Sequence, residues 1–313
     1  MQIQKHLQRG KVVTGNILSL IGNTPLLKID NSLFGIKKAV NVYAKLEGFN
    51  PGGSIKDRIA LQMIESAEKT GELTKDKIII ESTSGNTGIG LAMVAAVKGY
   101  KLTIVMPDSA SFERRKIMRA YGAKVVLSDS KEGPDSAINK LNLIVEREPE
   151  KYFYPNQYVN EQNFMAHYEN TAPELIEQSE LEGVRIDYFV AGLGTSGTLM
   201  GFAKRLKEYN PNIQIVSVEP ERKHRVEGLK CLSVAKKPEI LDESYIDKRI
   251  YVSDEDAKAS ARRLSRLMGV FVGISSGAAF FGCQKLSQEI KGGNVFTVFP
   301  DNGEKYLSTY LCE

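Results

Sequence analysis

The chain has 313 residues, of which 42% are hydrophobic and 26% are charged, as in ordinary folded globular proteins. Its net charge of only +4 predicts no nucleic-acid partner, and no apolar run is long enough to predict a membrane span. The three cysteines lie far apart and form no cluster with the three histidines, so we expect neither a disulfide framework nor a metal site. The stretch 1–16 lacks the apolar segment of a signal peptide, which favours a cytoplasmic protein.

Strand and helix patterns alternate through the first half of the chain. Strands are predicted at residues 26–29, 42–46, 77–81, 102–106 and 124–128. Helices are predicted after residue 54 and at residues 89–97, 112–121 and 136–147. This alternation is typical of βαβ units, which build a parallel sheet.

The second half repeats this rhythm after a polar, asparagine-rich stretch at residues 151–163. Strands are predicted at 187–190, 213–218, 249–252 and 295–299, and helices at 198–209, 254–268 and 275–290. We therefore predict an α/β fold of two lobes, each a mostly parallel sheet flanked by helices. The predicted lobes are 1–155 and 156–313, and residues 1–45 are candidates to pack on the second lobe.

The first segment that suggests chemistry is 50–58, Asn-Pro-Gly-Gly-Ser-Ile-Lys-Asp-Arg, where a loop leads into a helical pattern. Ser54 is predicted as the N-cap, and Asp57 completes a variant of the capping box. Lys56 then lies in the first turn, where the positive end of the helix dipole disfavours a charged amine. A lysine with a lowered pKa suits Schiff-base chemistry. The segment taken alone favours a solvated lysine at a helix start.

Two glycine-rich loops follow predicted strands and open predicted helices. Residues 82–88 read Ser-Thr-Ser-Gly-Asn-Thr-Gly, which suits a carboxylate or another small anion. A capped helix with a polar turn explains that loop as well. Residues 192–198 read Gly-Leu-Gly-Thr-Ser-Gly-Thr, and the N–H groups and hydroxyls of this loop suit a phosphate.

The second loop also fits a dinucleotide-binding fingerprint. Gly192, Gly194 and Gly197 match G-x-G-x-x-G, and Glu219 stands near the expected place of a ribose-binding carboxylate. A dehydrogenase would leave Lys56 and the 82–88 loop unexplained. A lysine, an anion site and a phosphate site together point to one phosphorylated aldehyde cofactor.

These segments, in this order, resemble the fold-type II pyridoxal-phosphate enzymes, specifically the cysteine synthase and cystathionine β-synthase family. The resemblance runs from Ile-Gly-Asn-Thr-Pro at 21–25 to Glu-Lys-Tyr-Leu-Ser-Thr at 304–309. Met-Pro-Asp at 106–108, Glu-Arg-Arg at 113–115 and Tyr-Gly-Ala at 121–123 are most similar to B-type cysteine synthases. The resemblance implies a tryptophan synthase β-like fold, pyridoxal 5′-phosphate as the cofactor, and a homodimer.

The resemblance also implies roles for individual residues. The cofactor would be held by an imine at Lys56, by Asn86 at its ring oxygen, by Gly194, Thr195, Ser196, Gly197 and Thr198 at its phosphate, and by Ser275 at its pyridine nitrogen. The substrate carboxylate would be bound by Thr83, Ser84, Thr87 and Gln157. Asp301 stands where A-type members carry a serine that meets the pyridine nitrogen, and its role is left open.

The activity implied is β-replacement on an O-activated serine, either O-acetylserine or O-phosphoserine, with sulfide, giving cysteine through an aminoacrylate. Lys230, in the basic loop 222–237, matches the position that contacts the phosphate leaving group in O-phosphoserine-using relatives, although a solvated loop is an equally good interpretation. Cystathionine β-synthase activity with a thiol acceptor, release of sulfide from cysteine, and serine or threonine deamination are also open. So is a catalytically silent binding protein.

Overall fold

The computed structural model describes residues 13–133 and 135–312. Residues 1–12, which include His6 and most of the stretch that lacks a signal-peptide pattern, lie outside the described residues. So do residues 134 and 313.

Two sheets organise the described part of the chain. The larger sheet has the order β1-β2-β10-β7-β8-β9 and the smaller one the order β5-β4-β3-β6. All neighbouring strands are parallel except β1 and β2. The strands are β1 (Leu26–Lys28), β2 (Val40–Leu46), β3 (Ile78–Ser82), β4 (Lys101–Pro107), β5 (Lys124–Ser128), β6 (Tyr152–Phe153), β7 (Tyr188–Gly192), β8 (Gln214–Pro220), β9 (Lys248–Val252) and β10 (Gly293–Phe299).

Helices cover both faces of each sheet. They are α1 (Lys56–Thr70), α2 (Asn86–Lys98), α3 (Phe112–Ala120), α4 (Ser136–Arg147), α5 (Glu161–Ala166), α6 (Ala172–Leu181), α7 (Gly197–Tyr209), α8 (Asp254–Met268) and α9 (Ile274–Glu289). A π-helical turn, His167–Thr171, joins α5 to α6. The α/β architecture with parallel sheets flanked by helices confirms the predicted fold class.

The apolar strand sequences explain why both faces are covered. In β3 the neighbouring side chains of Ile79 and Ile80 point to opposite faces. Ile79 packs into the core formed with α1 and α2, and Ile80 into the core formed with α4. Phe189 and Val190 of β7 likewise enter the separate cores on the two faces of the larger sheet. Strands buried on both faces read as continuous apolar runs, as these do.

The chain crosses between the sheets at the lysine loop. Strands β1 and β2 belong to the larger sheet, because β2 pairs with β10 along residues 40–46. The helix that follows, α1, packs on α2 beside the smaller sheet. Lys56 therefore lies where the chain passes from one sheet to the helices of the other.

The predicted capping box at this loop is wrong. Helix α1 begins at Lys56, and its N-cap residue Ile55 provides no side-chain hydrogen bond. The Ser54 hydroxyl instead accepts the Lys56 N–H, at 3.2 Å, and the Asp57 carboxylate accepts the N–H of Gly52. Asp57 is therefore turned back toward the glycine loop, because that loop has a buried N–H to satisfy.

Three of the strands and helices, β6, α5 and α6, were not predicted. Strand β6 has two residues, and α5 has six. Both lie in the polar segment 151–163 or directly after it, where no apolar period is long enough to show. Helix α6 follows the π-helical turn, which interrupts the 3.6-residue period.

Candidate active site

The carboxyl ends of β3, β4, β7 and β10 open onto one cleft of about 1100 Å³. This is the edge at which parallel α/β sheets bind their ligands. Every predicted site residue except Gly197 lines this cleft, namely Lys56, Thr83, Ser84, Asn86, Thr87, Gln157, Gly194, Thr195, Ser196, Thr198, Lys230 and Ser275. Segments that are distant in sequence are thus brought together as the hypothesis of a single ligand requires.

Lys56 is partly buried in this cleft at the first position of α1. The loop before it is fastened to the end of β10, because the Ile55 N–H donates to the Pro300 carbonyl with an N–O distance of 2.8 Å. Among the described residues, the Lys56 amine has no hydrogen-bond or ion-pair partner. Burial lowers its pKa from 10.5 to about 8, so a useful fraction of the amine is neutral and nucleophilic near neutral pH.

The 82–88 loop meets the segment that carries Gln157. The Thr87 hydroxyl donates to Gln157 Oε1 at 2.7 Å, and the Thr83 hydroxyl accepts the Gly85 N–H at 3.2 Å. Helix α2 starts at Asn86, earlier than the predicted residue 89, so this loop ends in a true helix start. Hydroxyls, an amide and a helix start are groups that bind a carboxylate.

Asn86 is held from behind by a buried carboxylate. Asn86 Nδ2 and the Tyr306 hydroxyl both donate to Asp301 Oδ2, each at a distance of 2.7 Å. Asn86 Oδ1 is buried and has no partner among the described residues. Ser275 lines the cleft in the first turn of α9, whereas Asp301 does not belong to the lining. Burial raises the pKa of Asp301.

The loop 192–198 forms a cradle at the start of α7. None of the N–H groups from residue 194 to residue 198 reaches a carbonyl acceptor within the described residues. Ser196 adopts a left-handed backbone, with φ of 70°, and this turns the loop into the helix. A Cβ on Gly194 would lie 2.2 Å from the Gly228 carbonyl oxygen, so the close approach of two loops requires glycine there. Unpaired N–H groups at a helix start bind phosphate.

Asn163, which was not predicted, connects this cradle to the segment that carries Gln157. Its Nδ2 donates to the Gln157 carbonyl at 2.7 Å and to the Thr195 hydroxyl at 2.9 Å. A Cβ on Gly197 would lie 2.1 Å from Asn163 Oδ1, which explains a glycine that does not itself line the cleft. The asparagine-rich composition of 151–163 was the available signal.

His167 was also not predicted. Its Nε2 lies 3.3 Å from the Thr198 hydroxyl and its Nδ1 lies 2.9 Å from the Thr171 hydroxyl. Burial, with the nearby charges of Lys56 and Arg58, lowers the pKa of His167 well below its ordinary value. A neutral imidazole can therefore support the Thr198 hydroxyl. No sequence pattern marks this lone histidine as part of a site.

Lys230 reaches the cleft from the basic loop 222–237. Its N–H donates to the Leu193 carbonyl at 2.7 Å, and its Nζ lies 4.0 Å from the centroid of the Tyr158 ring. Burial lowers its pKa, and Asp135 acts against that shift. The side chain is therefore held at the cleft by a cation–π contact.

The dehydrogenase hypothesis is not supported by this geometry. Glu219 is buried, and its Oε1 accepts from Arg249 Nη1 at 2.8 Å, so the carboxylate is engaged in an ion pair.

In the part of the chain that the structure describes, no group of three or more histidine, cysteine, aspartate or glutamate residues is arranged to hold a metal ion. The described helices include none long and apolar enough to cross a membrane.

Pyridoxal 5′-phosphate fits the groups that this cleft presents. An amine without a partner suits its aldehyde, the unpaired N–H groups suit its phosphate, and the unsatisfied oxygen of Asn86 is available to a ring hydroxyl. The fold and the site thus define a fold-type II pyridoxal-phosphate enzyme. The family of pyridoxal-phosphate dependent enzymes matches residues 17–301, and the chain belongs to that family.

Individual relatives indicate which class of pyridoxal-phosphate dependent enzyme this is. The chain is 48% identical over 301 residues to a cysteine synthase of Aquifex aeolicus, covering 94% of this chain and 91% of the relative. The crystal structure of a cysteine synthase from Entamoeba histolytica superposes with a TM-score of 0.90 at 38% identity, covering 96% of this chain and 91% of the other. That of a hydrogen sulfide-producing enzyme from Fusobacterium nucleatum gives 0.87 at 44% identity, with 95% and 99% covered. The protein is a pyridoxal-phosphate dependent enzyme of the cysteine synthase class.

Proposed function

We propose that the chain replaces the β-substituent of an O-activated L-serine, O-acetylserine or O-phosphoserine, with sulfide to give L-cysteine. The observation that carries this proposal is one cleft with a partnerless amine at Lys56 and a cradle of unpaired N–H groups at 194–198. The similarity to cysteine synthases over more than nine-tenths of the chain supports the choice of reaction.

The cofactor would be held at four places along the cleft. Lys56 would carry it through its amine, Asn86 would meet its ring oxygen, Ser275 its pyridine nitrogen, and residues 194–198 its phosphate. Pyridoxal phosphate, when bound, withdraws electrons from the α-carbon of an amino acid, which allows the bonds to the α-proton and the β-substituent to break.

The residues around the cleft would then position the amino acid and move one proton. Thr83, Ser84, Thr87 and Gln157 would hold the α-carboxylate, because their hydroxyl and amide groups converge beside the start of α2. The Lys56 amine would take the α-proton of the bound amino acid and later return it. Its pKa of about 8 suits both directions of that transfer near neutral pH.

A second candidate is release of sulfide from cysteine by the same β-replacement. The likeness to the hydrogen sulfide-producing enzyme from Fusobacterium nucleatum, at 44% identity over nearly its whole length, supports this candidate. The chemistry is symmetrical, since a carboxylate or phosphate leaves the β-carbon of an O-activated serine, sulfide leaves that of cysteine, and in each case a nucleophile such as sulfide or a thiol takes the place of the group that leaves.

A substrate panel tests the proposal. Purified holoenzyme would receive O-acetylserine, O-phosphoserine, serine or cysteine, each with sulfide, homocysteine or no acceptor, and amino-acid products, sulfide and keto acids would be quantified. Cysteine formed fastest from an O-activated serine with sulfide is the expected result. Fastest sulfide release from cysteine, matched by a β-replacement product and not by keto acid, supports the second candidate. Cystathionine from serine with homocysteine, or keto acid without an acceptor, would contradict both.

We further propose that the enzyme is a cytoplasmic homodimer whose lobes divide near residue 155, with β1 and β2 assigned to the second lobe. The pairing of β2 with β10 supports that last assignment. Light scattering of the purified protein would test the dimer, since a monomer at working concentration would contradict it.

A further inference from the structure

The C-terminal segment 304–309 is part of the family resemblance, but the proposed function gives it no task. Lys305 lies in the 3-10 turn Gly303–Tyr306, and only 7% of its surface is exposed. Its Nζ donates to the carbonyl of Gly52 at 3.1 Å and to that of Gly53 at 2.8 Å. A buried ammonium is thus directed at the loop that precedes Lys56, not at the cleft.

Asp57 grips the same loop from the other side. This fully buried residue of α1 accepts the Gly52 N–H on Oδ2 at 2.6 Å. A Cβ on Gly52 would lie 2.5 Å from Asp57 Oδ1, and one on Gly53 would lie 3.1 Å from Lys305 Nζ. Gly53 also has φ of +78°, which favours glycine. The two glycines therefore leave room for the two charged groups.

The two side chains are an acid and a base, and each shifts the pKa of the other. Lys305 lowers the pKa of Asp57 against the larger effect of burial, which raises it to about 7. Asp301 and Asp57 both raise the pKa of Lys305, while burial lowers it. Burying charged groups is costly unless they are hydrogen-bonded and paired, so this arrangement needs a reason.

We propose that Lys305 and Asp57 are positioning residues that clamp the loop 51–53 from both sides and thereby hold the Lys56 amine in the cleft. The clamp joins the segment after β10 to the first turn of α1, and the Ile55 to Pro300 hydrogen bond supports the same junction. The inference rests on the proposed role of Lys56. Misplacement of a reacting group by about 1 Å can cost about 10²-fold in rate.

The test compares Lys305→Met, Lys305→Arg, Asp57→Asn and the double variant Asp57→Asn with Lys305→Met. Lys207→Met is the matched control, since Lys207 makes a 2.9 Å ion pair with Asp247 away from the cleft. Three quantities are measured: the melting temperature, kcat and KM for the preferred donor, and the rate at which apoenzyme and pyridoxal phosphate form a borohydride-reducible adduct.

We expect Lys305→Met to lower kcat and the adduct rate by about 10²-fold, with little change in KM. Lys305→Arg should retain more of both rates, because it keeps a donor for the two carbonyls. The double variant removes both buried charges and should regain part of the melting temperature lost in Lys305→Met, while kcat stays low. Lys207→Met should leave both rates unchanged.

If kcat and the adduct rate return together with the melting temperature in the double variant, the pair has only a structural role and the proposal fails. An adduct rate in Lys305→Met equal to that of the wild type would also overturn it. Both outcomes leave the proposed function intact. A wild-type enzyme that forms no reducible adduct at Lys56 would instead overturn the proposed function and, with it, the clamp.

Discussion

Lys45 and Lys56 are near each other in sequence and have opposite surroundings. Lys45, on β2, is fully buried, and its amine donates to the Thr24 carbonyl at 3.0 Å, to Gln178 Oε1 at 2.9 Å and to Glu174. Lys56 has no partner for its amine among the described residues. Burial lowers the pKa of both, but only Lys45 has carboxylates that act against the shift.

The Lys45 site is part of a larger network of buried charges. Arg58 donates from Nε to Glu47 Oε2 at 2.7 Å and from Nη1 to Glu174 Oε2 at 3.0 Å. The network joins β2, α1 and α6, so it fixes the helix that begins with Lys56. The contrast teaches that partnered charges hold this junction together and that the unpartnered amine is the one left free to react.

The largest expected effect comes from removing the amine of Lys56. Lys56→Ala should lower turnover by more than about 10³-fold, because both the covalent attachment and the proton transfer are lost. Its melting temperature should not fall, since the amine has no partner to leave unsatisfied. Turnover, the absorbance of the bound cofactor and thermal unfolding of the apoenzyme check this.

Lys98→Ala is the control for Lys56→Ala, because Lys98, the last residue of α2, pairs with Glu68 of α1 at 2.8 Å and does not line the cleft. It should keep full turnover and the cofactor absorbance. Turnover near the wild-type level in Lys56→Ala would contradict the assignment of Lys56.

The second prediction concerns the network. Glu174→Gln leaves Lys45 and Arg58 without one shared carboxylate, and breaking a buried pair should lower the free energy of unfolding by about 3 kcal/mol. Glu148→Gln is the control, because its pair with Lys151 is exposed and should contribute less than about 1 kcal/mol. Urea unfolding of both apoenzymes decides this, and equal losses would show that the buried network stabilises the fold no more than an exposed ion pair does.

Much of the site could be predicted because it is built from contiguous loops. The 82–88 and 192–198 loops each follow an apolar strand and open a helix, and such loops at strand ends lie at the same edge of a sheet. Lys56 also stood out through its glycine loop. The structure brings these segments to one cleft, as expected from the fold class.

What the sequence did not reveal depends on long-range contacts. Lys45 lies in an apolar strand and shows no sign of its partner on α6, which is more than a hundred residues away. His167 is placed by a π-helical turn that breaks the helical period. Asp57 is a local exception, because it matched a capping pattern but its carboxylate accepts the N–H of Gly52 in the same loop instead.

A third prediction uses pH to separate the two lysines. Apoenzyme should react with pyridoxal phosphate faster as pH rises and level off above about 8, because only the neutral amine attacks and the pKa of Lys56 is lowered to about 8. The unfolded chain binds this proton up to about pH 10.4, so stability from this group should rise between the two values. Lys56→Met should lose the pH dependence of the reaction and the part of the pH dependence of stability that comes from this group. A rate that still climbs at pH 10 would contradict the lowered pKa.

The smallest expected effect concerns Lys230, another lysine that lines the cleft. Its amine is held over Tyr158 and not by a carboxylate ion pair within the described residues, so it resembles Lys56 more than Lys45. We expect Lys230→Ala to lower turnover of O-phosphoserine relative to O-acetylserine by about fivefold, since an accessible ion pair contributes up to about 1 kcal/mol. Lys230→Arg keeps the charge and should retain more of the ratio. Competition between the two donors in one reaction measures the ratio directly, and an unchanged ratio in Lys230→Ala would show that this side chain does not contact the leaving group.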